Sequence, residues 1–185
     1  MKGVERYKVR LLPHNPDWDK EFLTVEKELR TALGCCVLEV QHVGSTAIPT
    51  ISAKPILDIA VLMRTIGAAQ ISALEGLGYD YRGMQNNNAS YHLFVLRGEN
   101  QTSLRHIHCY DKRCEGFDLL VAFRDYLRLH KTAALQYENL KKKLSEQYPN
   151  DRASYTKGKA AFIQSIYDKI LSCDCSSAHN TKKEE

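Results

Sequence analysis

Residues 42–49 of the chain are HVGSTAIP, and residues 53–61 are AKPILDIAV. The first segment predicts a strand that runs into a turn at Gly44, because glycine lets the chain reverse and lets a ligand approach the backbone closely. Ser45 and Thr46 place hydroxyl groups beside backbone N–H groups, a combination that is typical of anion-binding turns. His42 before the turn and Lys54 after it are further candidates for contact with a phosphate.

Asp58 is the chemically unusual residue of the second segment. It interrupts an apolar run from Ile56 to Met63 that predicts a buried strand. A carboxylate buried without a partner is costly, so we expect a metal ion, a cation or hydrogen bonds beside it. The alternative is that Asp58 lies at the strand end and caps a turn.

The flanking sequence predicts a strand-rich first two thirds and a helical last third. Apolar periodicity and capping residues predict strands at 5–12, 36–43, 56–63, 79–82, 91–97 and 104–110, a turn at 85–90, and helices at 16–33, 66–77, 117–130, 132–147 and 152–171. This order predicts one α+β domain over residues 1–172, in which helices pack on a mixed β-sheet. Residues 173–185 are polar and predict a flexible tail.

Composition excludes several classes of protein. The chain has 185 residues, 43% of them hydrophobic, and a net charge of +4, which excludes wholesale disorder and permits an anionic ligand. No apolar run approaches the roughly 18 residues of a membrane span, and the N-terminus lacks the apolar core of a secretory signal. We therefore expect a cytoplasmic protein whose six cysteines are free thiols. No aromatic pattern typical of RNA-binding modules is present, so nucleic acid is not an expected partner.

His106 and His108 lie two residues apart on a predicted strand, so their imidazoles share one face while Cys109 faces the other way. Beside Asp58 they would form a two-histidine, one-carboxylate site for a divalent metal ion. Two alternatives stay open: contact with a ligand or acid–base chemistry, and a purely structural role in the strand.

Arg124 and Arg128 are four residues apart on a predicted helix and therefore share a face. Arginine recognises phosphate with two parallel hydrogen bonds, so both are candidates for nucleotide binding. The alternative is a surface network of arginine and aspartate side chains.

The Gly44–Ser45 turn followed by Asp58 resembles the nucleotidyltransferase superfamily, in which a second carboxylate stands two residues after the first. Ala60 occupies that position here. The chain resembles, more closely, the GrpB family within that superfamily. The matching segments are 13–18 (PHNPDW), 42–49, 53–59, 77–79, 106–108, 123–128, Tyr137 with Leu140 and Lys141, and 155–159 (YTKGK). The family usually has glutamate where this chain has Gln41, and Pro-Gly-Leu where it has Pro49-Thr50-Ile51.

The resemblance implies a nucleotidyltransferase-like protein that binds a nucleotide or a phosphorylated small molecule. In this hypothesis Gly44, Ser45 and Thr46 hold phosphates, and Asp58 with His106 or His108 holds Mg²⁺ or Mn²⁺, with Zn²⁺ as an alternative. Arg124 or Lys54 would neutralise the leaving phosphate. Ala60 and Gln41 keep open a non-catalytic module that binds nucleotides or anions. A third hypothesis is a metal-dependent hydrolase that uses His106, His108 and Asp58.

Overall fold

The computed structural model describes residues 3–111 and 115–180, with side chains described as far as residue 172. The strands are β1 (Val37–Val43), β2 (Leu57–Met63), β3 (Tyr79–Gln85), β4 (Asn88–Arg97) and β5 (Ser103–Tyr110). The helices are α1 (Asp17–Leu33), α2 (Ala68–Gly76), α3 (Glu115–Leu129), α4 (Lys131–Gln147), α5 (Arg152–Gly158) and α6 (Ala160–Asn180). None of the described helices is long and apolar enough to cross a membrane. The expected cytoplasmic location stays a prediction.

The five strands form one mixed sheet in the order β1-β2-β5-β4-β3. Strands β2 and β5 pair in parallel, while the other neighbouring pairs are antiparallel. The parallel pair lies at the centre of the sheet. This pairing places Asp58 directly beside His106, and Ala60 beside His108.

Alternation along β2 assigns its side chains to two different environments. Leu57, Ile59, Val61 and Met63 are fully or almost fully buried in the main core with Val25 and Leu29 of α1. Ala60 and Leu62 face the opposite side, where they pack against Phe117 of α3. Asp58 shares this second face because successive strand residues point to opposite sides of a sheet. The second face therefore carries Asp58, the predicted metal ligand.

Helix α1 forms as its apolar stripe predicts, with Trp18, Val25, Leu29 and Leu33 buried. Residues 115–172 supply the C-terminal helices that cover the Asp58 side of the sheet. Ile48 and Ile51, from the loop after the glycine turn, pack with Leu127 and Ile166 of these helices. The loop is therefore a packed element between sheet and helices.

Three predicted elements differ from the structure. Residues 5–12 form no strand; Val4 and Leu12 make isolated bridges to Ser103 and Ala53, because the segment pairs with loop and strand-end backbone. The predicted turn at 85–90 is shorter, and the tight reversal uses Asn86 and Asn87 with positive φ. The predicted helix at 152–171 divides at Lys159 into α5 and α6.

The C-terminal boundary and the cysteines are described only in part. Helix α6 runs to Asn180, beyond its predicted end, so the boundary of a tail at residue 173 stays a prediction, and residues 181–185 lie outside the described residues. Cys35, Cys36 and Cys109 are free thiols. Cys114 and the side chains of Cys173 and Cys175 are outside the described part of the chain.

Candidate functional site

A cavity of about 300 Å³ lies between the second face of the sheet and the C-terminal helices. Its walls come from the end of β1 with the glycine turn, the loop before β2, the start of β2, the middle of β5, and helices α3 to α5 with the residue that follows α5. The residues that line it are Val43, Gly44, Ser45, Thr46, Lys54, Ile56, Asp58, His106, His108, Leu120, Phe123, Tyr137, Arg152, Tyr155, Thr156 and Lys159. Seven predicted site residues therefore share one cavity: Gly44, Ser45, Thr46, Lys54, Asp58, His106 and His108. We name it the Asp58 cavity.

Gly44 packs directly against the Asp58 carboxyl group. The φ angle of Gly44 is +70° with ψ −171°, a region that is essentially restricted to glycine. A Cβ atom at this position would lie 2.6 Å from Oδ2 of Asp58. The glycine is therefore required for two reasons, its backbone conformation and the closeness of the carboxylate.

Asp58 and the two histidines form a compact group of possible metal ligands. His106 Nδ1 lies 2.9 Å from Asp58 Oδ1, and His108 Nε2 lies 3.8 Å from the same oxygen. One ligand atom from each residue falls within 4.8 Å of the other two. The hydrogen bond with His106 and the nearness of both imidazoles hold the pKa of Asp58 well below its usual range, although burial opposes this. Burial lowers the pKa of His106, against the attraction of Asp58.

Tyr91 fixes the orientation of His108. Its hydroxyl group lies 2.7 Å from His108 Nδ1, and the two rings stack. If Nδ1 carries the proton and donates to Tyr91, Nε2 presents a lone pair toward Asp58. A partner of this kind, behind a histidine, is typical of metal sites because it sets the tautomer and direction of the ligand. The three residues thus fit a divalent metal ion.

Three cationic side chains face Asp58 from the loop and from the end of the helical layer. Lys54 and Lys159 place their ammonium groups 5.1 and 4.9 Å from the centre of the Tyr155 ring. Arg152 Nη2 lies 3.4 Å from His106 Nε2. Burial, with the charges of Arg152 and Lys159, lowers the pKa of Lys54 to about 7, despite the attraction of Asp58. The crowding of positive charge is relieved if an anion enters.

His42, Arg124 and Arg128 do not line the Asp58 cavity. Arg124 is buried; its Nη1 donates to Gln41 Oε1 at 2.7 Å and to the carbonyl of His42 at 2.8 Å. Arg128 Nε donates to the carbonyl of Ala47 at 2.9 Å. Both arginines tie α3 to the strand and loop that carry Gly44, so they position the turn. Their predicted contact with a phosphate has no support in this arrangement.

His42 is a positioning residue for Thr46. Its ring stacks on Phe22, with Nε2 3.0 Å from Thr46 Oγ1 and Nδ1 3.3 Å from Asp19 Oδ1. Burial lowers the pKa of His42 to about 4, although Asp19 and Asp58 oppose this. The ring is therefore neutral at pH 7. It holds the loop shape from behind the cavity wall.

Sequence reasoning missed Arg152, Tyr155, Thr156 and Tyr137 as members of the site. Tyr137, Tyr155 and Thr156 lie in segments that the family resemblance included, but it assigned these three residues no role. Only Lys157 and Lys159 of the YTKGK segment stood out as lesser anion-binding candidates, and Arg152 lies outside the matching segments. Asp151 is the N-cap residue of α5, and its carboxylate accepts hydrogen bonds from the backbone N–H groups of Ala153 and Ser154. Arg152 at the start of this helix reaches across to His106 of β5, a long-range arrangement that no local pattern shows.

The family model described as GrpB protein matches residues 8–169. The chain belongs to the GrpB family. A relative, a UPF0157 protein from Pseudomonas aeruginosa, is 34% identical over 169 residues, which are 89% of this chain and 68% of that protein.

The comparison of structures supports the same family and its fold. The crystal structure of the conserved protein GrpB from Enterococcus faecalis matches with a TM-score of 0.79 and 29% identity, over 88% of this chain and 98% of that one. The Cid1 poly(U) polymerase in complex with the UTP analog UMPNPP matches with a TM-score of 0.51 and 16% identity, over 79% of this chain and 48% of that one. This GrpB family member therefore has the nucleotidyltransferase-like α+β fold that its sequence predicts.

Proposed function

We propose that this GrpB family member is a nucleotidyltransferase-like enzyme that binds a nucleotide or phosphorylated small molecule in the Asp58 cavity. One observation carries the proposal. A single cavity joins a carboxylate and two imidazoles, suited to a divalent ion, with three cations suited to phosphate. Its volume of about 300 Å³ is at the lower end for ligand pockets, so it accommodates the phosphate-bearing part of a nucleotide.

The ligand set of Asp58, His106 and His108 favours Mn²⁺ or Zn²⁺ over Mg²⁺. Imidazole nitrogen suits transition metals, whereas Mg²⁺ prefers oxygen ligands and retained water. A bound divalent ion would neutralise phosphate oxygens and orient the phosphate for attack. This choice narrows the sequence-based expectation, which included Mg²⁺.

The cations of the cavity would bind the phosphate chain. Lys54, Arg152 and Lys159 surround the space in front of Asp58, and Gly44 to Thr46 form the wall that faces them. In transfer, charge develops on the departing phosphate, and fixed cations in a site with little water stabilise it more than water would. In this proposal Lys54 keeps its predicted role of neutralising the departing phosphate. Arg152 and Lys159 take the same role, which the sequence suggested for Arg124.

Hydrolysis of a phosphate ester is the second candidate function, and one observation favours it. Ala60 stands where a second carboxylate would help to hold two metal ions, and it is fully buried beside His108. A single-ion site with two histidines is equally suited to activate water. A binding module without turnover is the remaining hypothesis.

Thermal unfolding with paired additions tests the proposal. Wild type is heated with Mn²⁺ or Zn²⁺, with pyrophosphate or a panel of nucleoside triphosphates, and with each metal and anion together. Asp58→Asn is the test variant. Asp168→Asn is the matched control, because Asp168 is an exposed residue of α6 and the substitution makes the same chemical change away from the cavity. Ligand at about 100 times its Kd stabilises the folded state by about 2.7 kcal/mol.

We expect the largest rise in the Tm of the wild type when metal and anion are present together. Of the two variants, only Asp58→Asn should lose this rise. A shift that survives in Asp58→Asn would contradict the proposed metal site. Product analysis then separates the functions. Pyrophosphate released from a nucleoside triphosphate only when an acceptor is present indicates transfer. Phosphate or pyrophosphate released without an acceptor indicates hydrolysis, and release of neither indicates a binding module.

A further inference from the structure

A second concave surface adjoins the Asp58 cavity on the same face of the sheet. It has a volume of about 670 Å³ and shares His106, Arg152 and Thr156 with the cavity. Its other lining residues come from the N-terminal segment, β3, β4, the start of β5, and α5. We name it the β4 groove.

The floor of the β4 groove leads toward Asp58. Leu93 and Val95 of β4 form an apolar strip in the groove, and the antiparallel register places them beside His108 and His106. Asp58 in turn is beside His106 on the next strand. Since paired residues lie on the same face, a molecule on this strip reaches the metal ligands without crossing a barrier of backbone.

Positive charge surrounds this apolar strip. Arg6, Arg82, Arg97, Arg152 and Lys157 line the groove, and no carboxylate is among the described residues that line it. Arg97 pairs with Asp80 outside the groove at 3.1 Å. Across the described ranges, none of the ion pairs involves Arg6, Arg82 or Lys157. A groove whose rim carries these cations, none of them paired with a carboxylate of the described residues, is complementary to an anion.

The rim also offers an aromatic surface. Tyr7 is 66% exposed, and the Arg6 guanidinium lies 5.4 Å from the centre of its ring. An exposed tyrosine beside arginine suits a planar group, which can stack on both. The groove thus combines anion recognition with a flat or apolar body. A phosphate monoester of a nucleoside has both features.

We infer that the β4 groove binds the second substrate, a phosphate monoester with a planar or apolar body such as a nucleoside monophosphate. This inference rests on the proposed function, because it assigns to the groove the molecule that reacts at the Asp58 cavity. Arg82 and Lys157 hold its phosphate, and Leu93, Val95 and Tyr7 contact its body. His106 lies where the two ligands meet.

Fluorescence anisotropy with the N-methylanthraniloyl ester of AMP tests this site. The probe is titrated into wild type, into Arg82→Ala/Lys157→Ala, and into Lys143→Ala/Lys169→Ala. The last variant is the matched control, because it also removes two exposed positive charges but from α4 and α6, outside both cavities. Asp58→Asn is titrated in parallel, and the Mn²⁺-pyrophosphate Tm shift of each variant is measured separately.

We expect the Arg82/Lys157 variant to bind the probe at least ten times more weakly, while its Mn²⁺-pyrophosphate shift stays at the wild-type value. The control variant and Asp58→Asn should bind the probe within about twofold of wild type. The inference is overturned if the wild type does not bind the probe, if the control loses as much affinity, or if Asp58→Asn loses the probe instead. A missing Mn²⁺-pyrophosphate shift in wild type overturns the proposed function, and with it the groove's role as a second-substrate site. Loss of probe binding in the double variant would then show anion binding alone.

Discussion

Replacement of Gly44 by alanine is the sharpest test of the site, because the structure predicts two separate effects. The first is backbone strain. The φ of +70° and ψ of −171° are nearly exclusive to glycine, and a residue held there costs about 1–3 kcal/mol. For a protein of this size, such a loss lowers Tm by roughly 2–12 °C.

The second effect is displacement of Asp58. The new Cβ would lie 2.6 Å from Asp58 Oδ2, whereas ordinary contacts begin at 3.4 Å, so the carboxylate or the turn has to move by roughly 0.8 Å. Metal–ligand distances tolerate only about 0.2 Å. We therefore expect Gly44→Ala to reduce affinity for Mn²⁺ or Zn²⁺ at least tenfold.

Gly34→Ala separates the two effects. Gly34 also has a positive φ, +58°, but a Cβ there meets nothing within 4 Å. Calorimetric titration with Mn²⁺ and thermal unfolding are measured for both variants. Gly34→Ala should lose stability and keep wild-type affinity for the metal. If wild type binds the metal and Gly44→Ala binds it equally well, the argument that this glycine makes room for the carboxylate is wrong.

Three further predictions concern the rest of the molecule. Sulfate does not titrate between pH 6 and 9, so its affinity should fall above pH 7 as Lys54, whose pKa burial lowers to about 7, loses its charge. Lys54→Met should bind sulfate more weakly and with a shallower pH dependence, and an unchanged slope would exclude Lys54 from the site. Arg124→Ala should lower the free energy of unfolding in urea by about 1–3 kcal/mol, because it leaves the buried carbonyl of His42 without its donor and also removes the hydrogen bond to the half-buried Oε1 of Gln41. Its Mn²⁺-pyrophosphate shift should persist, since Arg124 does not line the cavity; loss of that shift without loss of stability would restore its predicted contact with phosphate. N-ethylmaleimide should label exposed Cys35 in the native protein and Cys109 only after unfolding, since burial raises the pKa of the Cys109 thiol and blocks access; peptide mass spectrometry that finds Cys109 labelled early would contradict this.

Local sequence pattern determined most of the fold. The stripe of Trp18, Val25, Leu29 and Leu33 predicts α1, because its period reflects burial on one side of a helix. The continuous apolar run around Asp58 predicts β2, because a strand that is buried on both faces shows little alternation. The strand predicted at residues 5–12 from the same kind of local pattern does not form. Its alternation matches a strand, but its neighbours offer only isolated backbone partners, so no ladder forms.

The sequence predicted only part of the candidate site, because some of its features depend on neighbouring residues and others on the pairing of distant segments. Gly44, Asp58, His106 and His108 could be named from the sequence, because a glycine turn, a lone carboxylate and alternate histidines are local features. Which of these residues come into contact is decided by the register between the paired strands. The parallel pairing of β2 with β5 sets Asp58 beside His106, although they lie far apart in the chain.

The arginines show what only tertiary structure decides. Arg124 is four residues from Arg128, and the sequence alone cannot tell a helix face that meets a ligand from one that meets the protein's own backbone. Packing of α3 on β1 turns both arginines toward carbonyl groups, whereas α5 and the residue after it place Arg152 and Lys159 at the cavity. The sequence by itself determined the elements and the chemical groups, since these depend on neighbours along the chain. Tertiary structure decided which charges face Asp58, because that depends on how distant elements pack.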